Sequence, residues 1–167
     1  EYLAGDVEFM LSEREEEKQV LASIYDDQFQ VLNNNDNDNN DDDHLDRYLL
    51  KITPSEPLAE PANSEDCKLY VLIRKGYPTF ESPNFLFTNA SLPPTLLRRI
   101  NAQLIQHCQE QQQESAGAPI IFDIITFLSS SLPQMHIDFI KEQRFKEFKA
   151  KQIQLRKDMG HTVNENN

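Results

Sequence analysis

Apolar residues recur along this chain with two different periods, and the switch between them organises the reading. Leu3, Val7, Met10 and Leu11, then Val20, Leu21, Ile24 and Tyr25, fall at the three- and four-residue spacing of a helix face. The charged run Glu13 to Lys18 between them either continues one helix or separates two. Gln28 to Leu32, Tyr48 to Ile52, Leu69 to Ile73 and Phe85 to Phe87 are short apolar runs bounded by turn residues, and they predict four strands. Past Pro93 the helical period returns. Leu96, Leu97, Ile100, Leu104, Ile105 and Cys108 share a face, and Ser115-Ala116-Gly117 ends it. Ile120, Ile121, Ile124, Ile125 and Leu128 predict a further helix. Ile137, Ile140, Phe145, Phe148 and Ile153 predict a last one, rich in Lys and Arg, reaching about Asp158.

One helix in front, strands next and helices after is an α+β order. The strand connections carry no crossover helix, so the sheet is expected to be a four-stranded antiparallel meander with helices on one face and a long C-terminal helix. The segment Tyr77-Pro78-Thr79-Phe80-Glu81-Ser82-Pro83 separates the last two strands. Each proline lacks a backbone donor and has a fixed φ, so neither sits inside a hydrogen-bonded ladder. The chain must therefore leave one strand, make a rigid corner and re-enter another.

Residues 33–43 are Asn and Asp only, a self-repelling stretch without an apolar side chain, which predicts a disordered acidic loop over 33–46. Calcium ligation there lacks the glycine turn and terminal glutamate of an EF-hand. The expected organisation is a helical lead-in over 1–12, with the tail of a preceding domain as one reading of it, a main domain over 13–135, and a basic helix and tail over 136–167. Because the chain opens on Glu1, it reads as a piece of something longer.

Charge is unevenly spread. Residues 1–66 hold 19 acidic and 4 basic side chains, while residues 67–167 hold 9 and 12. The acidic front half repels phosphates and suits a basic protein partner. No apolar run approaches the roughly 18 residues of a membrane span.

Little in the chain looks like reaction chemistry. Cys67 and Cys108 lack metal-ligand or redox spacing and read as free thiols of a reducing, cytoplasmic setting. His44, His107, His136 and His161 are scattered, and four glycines form no phosphate loop. No metal and no cofactor is expected.

Glu16-Glu17 followed by Leu21 and Ser23-Ile24-Tyr25 resembles the opening helix of RWD domains. Tyr77-Pro78 with Pro83 resembles that family's Tyr-Pro corner, and Phe122 to Leu128 its apolar third helix. The resemblance covers about residues 13–135. It implies a fold similar to ubiquitin-conjugating enzymes without their chemistry, used to dock other proteins. A conjugating enzyme also needs a His-Pro-Asn segment before its cysteine, which this chain lacks.

Related modules occur in starvation-sensing translation kinases, DEAH-box RNA helicases, RING-type ubiquitin ligases and ribosome-associated partners of translational GTPases. Leu92-Pro93-Pro94 is similar to the helicase versions, and Ile120 to Ile124 to the kinase versions. The chain is therefore read as a non-catalytic docking module of a larger, translation-linked protein. Glu13, Glu16 and Glu17 are expected to share an exposed face, extended by Asp26 and Asp27, that takes a basic partner. Tyr25, Tyr77, Pro78 and Pro83 are read as structural. The basic last helix reads as a linker to a following domain or, as the alternative use, as an RNA or ribosome contact with Lys149 and Lys151 as contacts.

Overall fold

The structure, a computed structural model, describes residues 2–32 and 46–165. The acidic loop and its calcium alternative lie outside the described residues, except for Asp46, which opens a strand instead of ending a loop.

Helix α1 spans Ala4–Tyr25 without a break. The charged stretch joins its two apolar faces, because Glu, Lys, Arg and Gln hold a helix nearly as well as Ala. Strands β1 (Phe29–Val31), β2 (Asp46–Lys51), β3 (Lys68–Ile73) and β4 (Asn84–Thr88) follow. They form one sheet in the order β1-β2-β3-β4, every pair antiparallel. Helix α2 (Pro94–Ser115) starts with Pro94 in its first turn, where a missing donor costs nothing, and stops at Ala116 in the left-handed conformation.

The sheet shows the alternation that one buried face requires. Leu69, Val71 and Ile73 on β3 are buried, while the alternating Lys68 and Tyr70 are exposed and Leu72 is half-buried. Tyr48, Leu50 and Phe87 complete the inward face. Met10 and Leu21 of α1 and Leu96, Ile100, Leu104 and Cys108 of α2 are buried as well. So are Ile121, Ile124, Ile125, Leu128 and Leu132, at the start of α3. On the outer face the register sets Gln30, Leu49, Tyr70 and Leu86 side by side. The edge strand β4 is closed locally by α2. Asn101 accepts from the Phe87 N–H at 2.8 Å and donates to its carbonyl at 3.1 Å, as a neighbouring strand would.

Helix α3 spans Ile121–Glu165, so the two helices expected after Gly117 are one. Pro133 lies inside it and cannot bond the Ser129 carbonyl four residues back. That carbonyl accepts instead from the Ser55 N–H at 2.9 Å, and Ser129 Oγ donates to the Thr53 carbonyl at 2.5 Å. The loop after β2 thus supplies the partner that the proline removes. Two compact units result, Glu1–Pro133 with the sheet, and Gln134–Asn167 with the rest of α3.

Candidate functional site

A dense polar cluster of the sheet-bearing unit lies where α1 meets the Tyr-Pro corner. Met10, Arg14, Glu17 and Leu21 recur at intervals of four, three and four residues, one stripe of α1. Met10 and Leu21 anchor that stripe in the core, which carries Arg14 and Glu17 inward. Arg14 is buried. Its Nε donates to the Tyr77 carbonyl at 3.0 Å, and Nη2 donates to the Arg74 carbonyl at 2.8 Å and to the Lys75 carbonyl. Three carbonyls of the turn leaving β3 are thereby held by one planar fork.

The corner itself is tight. The N–H groups of Phe80 and Glu81 both donate to the Gly76 carbonyl, at 2.7 and 3.0 Å. The Gly76 N–H donates to Glu81 Oε2 at 2.7 Å, and a side chain at Gly76 would stand only 2.6 Å from that oxygen. The Tyr77–Pro78 peptide bond is cis.

Tyr77 is 1 % exposed, and its hydroxyl links three segments. It donates to the Glu17 carboxylate, 2.7 and 2.9 Å from its two oxygens, and accepts from the Ile120 N–H at 2.9 Å. Glu17 Oε2 also accepts from the Ile121 N–H at 3.2 Å. Tyr77 and Glu17 together therefore occupy the start of α3, where backbone donors have no helical partner and negative charge is favoured. Burial pushes the Glu17 carboxyl up to about 7 against the lowering effect of the Tyr77 and Ile121 hydrogen bonds, with Asp123 and Glu13 adding to the rise. Burial, then the charge of Glu17, pushes the Tyr77 hydroxyl up, so it stays a donor.

Tyr77→Phe keeps the ring but deprives Glu17 of its donor and leaves the Ile120 N–H unpaired. We expect a loss of about 2 kcal/mol, the cost of a hydrogen bond to a charged group with a buried donor left over, read from urea unfolding. An unchanged midpoint would show that the hydroxyl links nothing.

These contacts correct one expectation. Glu13, Glu16 and Glu17 do not present a common exposed face: Glu16 is exposed, Glu13 is half-buried, and the Glu17 carboxylate turns inward onto Tyr77 and Ile121. Asp26 and Asp27 are exposed in a single 3-10 turn just beyond α1. Glu16 instead lines a shallow groove of about 380 Å³ with Gln19, Val20, Ser23 and Ile24. Val20 and Ile24 are both 52 % exposed there. Tyr25 is half-buried at the end of α1. Pro78 and Pro83 are buried in the corner. Lys149 and Lys151 are exposed on α3.

Arg14 is the residue that sequence reasoning missed. A signal was present, since Arg14 and Glu17 both fall on the Met10–Leu21 stripe, where charged residues need internal partners.

Neither thiol has the setting of a nucleophile. Cys67 is fully buried and accepts from Asn89 Nδ2 at 3.3 Å. Cys108 is buried on α2, with its Sγ 3.9 Å from the Pro83 carbonyl. Burial pushes both thiols up, away from the thiolate. Among the described residues, no group of three or more His, Cys, Asp or Glu could hold a metal ion, and no helix is long and apolar enough to cross a membrane.

A helix-backed antiparallel meander with a Tyr-Pro corner before its last strand defines an α+β fold of the ubiquitin-conjugating-enzyme type. The chain matches the RWD domain family over residues 12–132, and it belongs to that family. The RWD domain is a protein-interaction module. No curated protein sequence matches the chain.

Proposed function

We propose that the chain is a non-catalytic docking module that captures a basic protein segment on the outer face of α1. The observation that carries this reading is the Glu16 groove. Two half-exposed apolar side chains, Val20 and Ile24, stand beside an exposed carboxylate on one helix. Apolar contact there supplies affinity, and the acidic surround supplies orientation and sign selection. Asp26 and Asp27 continue the negative field past the helix end. An amphipathic helix or loop with Lys and Arg flanking apolar residues fits this surface. The inward-facing Glu17 is excluded from it, and the buried thiols support a role without group transfer.

The translation-linked, cytoplasmic parent, whether starvation-sensing kinase or DEAH-box helicase, belongs to the same proposal and rests on the family resemblance alone.

Affinity capture from cytosolic extract with the full chain tests the surface. Paired substitutions Glu16→Lys and Val20→Lys should reduce recovery of the bound proteins about tenfold, equivalent to about 1.4 kcal/mol. Recovery equal to that of the unaltered chain would overturn the reading. Both positions are exposed, so circular dichroism should be unchanged.

A further inference from the structure

The second unit carries a surface of opposite sign. Along α3, Phe145, Phe148, Leu155 and Met159 recur at three, seven and four residues, the a and d positions of two heptads, with Gln152 at the intervening a position. All four apolar side chains are more than half exposed. They form a seam about 21 Å long at 1.5 Å per residue.

The positions flanking this seam are mostly cationic. Arg144 and Lys151 lie along one side, Lys149 and Arg156 along the other. Lys149 Nζ sits 4.7 Å from the centre of the Phe145 ring, which lays its stem along the seam. The flanking acids stand only at the two ends and have local partners. Glu142 pairs with Lys146 at 3.2 Å, and Asp158 accepts from Gln154 Nε2 at 3.0 Å.

We propose that this seam pairs with an acidic amphipathic helix of a partner protein, as a short two-stranded coiled coil. The charge pattern selects the occupant. A second copy laid parallel would set Arg144 against Lys149 and Lys151 against Arg156; laid antiparallel with Lys149 against Arg156 it would set Lys151 against Asp158. Neither arrangement gives all four cations an anion. A helix with Leu or Ile at a and d and Glu at e and g meets every one of those cations with an anion. Gln152 at an a position favours a polar residue opposite it and so fixes the register. This surface is distinct from the α1 groove, and its test does not depend on that reading.

The probe is a designed peptide of roughly four heptads with Leu at a and d, one Asn to face Gln152, and Glu at e and g. Its binding to the full chain is followed by fluorescence anisotropy at 50 and 150 mM salt. We expect micromolar binding that weakens with salt. Reversing Arg144, Lys149, Lys151 and Arg156 together to Glu should weaken it at least tenfold and should create binding to the matching peptide with Lys at e and g. Leu155→Asp should remove both interactions.

Three results would overturn the proposal. One is no binding of the acidic peptide by the unaltered chain, including the case where anionic vesicles or RNA bind instead. Another is equal affinity of the charge-reversed variant for the acidic peptide. The last is self-association in sedimentation that Leu155→Asp abolishes, which would assign the seam to a second copy.

Discussion

Replacing Arg14 by Ala should lower the stability of the sheet-bearing unit by about 3–5 kcal/mol, the largest effect of any single polar substitution in it. The three carbonyls of Arg74, Lys75 and Tyr77 would lose their donor at once. Hydrogen bonds to a charged group contribute about 1.5–3 kcal/mol each, and those sharing one guanidinium add less than independently. The bond to the Tyr77 carbonyl is buried and the other two are part-buried, so replacement partners are scarcest at Tyr77. Arg14→Lys is the informative control. It keeps the charge and most of the stem but replaces the planar fork with a point donor, so it should recover only part of the loss. At about 2–4 °C per kcal/mol for a chain of this size, Arg14→Ala should melt about 10 °C lower. A drop under about 1 kcal/mol would mean that the corner holds its shape without α1.

The stability of the unit should also fall as pH rises between 4.5 and 7. The folded Glu17 carboxyl titrates near 7 and the unfolded one near 4.5, so the folded state binds more protons in this window. The contribution is fully present below 4.5, declines at up to about 1.4 kcal/mol per pH unit, and is gone above 7, a total of about 3 kcal/mol. This sign is opposite to that of a salt-bridged carboxylate. Glu17→Gln has no proton to exchange, so the difference between its pH profile and that of the unaltered chain isolates this group. Parallel profiles for the two proteins would show that Glu17 is ionised with an ordinary pKa.

Both effects act on one junction. The corner, α1 and the start of α3 meet through Arg14, Glu17 and Tyr77, so a change in any of them alters how α1 is held. The proposed docking groove is on that same helix. Loss of the junction should therefore weaken partner capture without touching Glu16 or Val20. The distinction is experimental: junction variants lose stability and binding together, whereas Glu16→Lys loses binding alone.

Much of the architecture was legible in the chain because it depends on local periodicity. The alternation in Leu69 to Ile73 is enough to name a one-sided strand, and the face shared by Leu96, Ile100, Leu104 and Cys108 is enough to name a helix and its buried side. The prolines of Tyr77 to Pro83 mark the corner for the same reason, since a missing donor and a fixed φ act at the residue that carries them. Antiparallel pairing followed from the absence of a crossover helix between strands.

Other features were decided by groups far apart in the chain. Glu17 looks like one of several helix-surface acids until Tyr77 and the N–H of Ile121 are brought to it from 60 and 104 residues away. Pro133 removes a donor inside α3, yet the helix continues through it, with Ser55 supplying a donor to the Ser129 carbonyl. Periodicity and backbone geometry are local properties, so the sequence by itself determined the elements, their order and the corner. Which charged side chains turn inward depends on hydrogen-bond partners that only packing brings within 3 Å, and that was left to the tertiary structure.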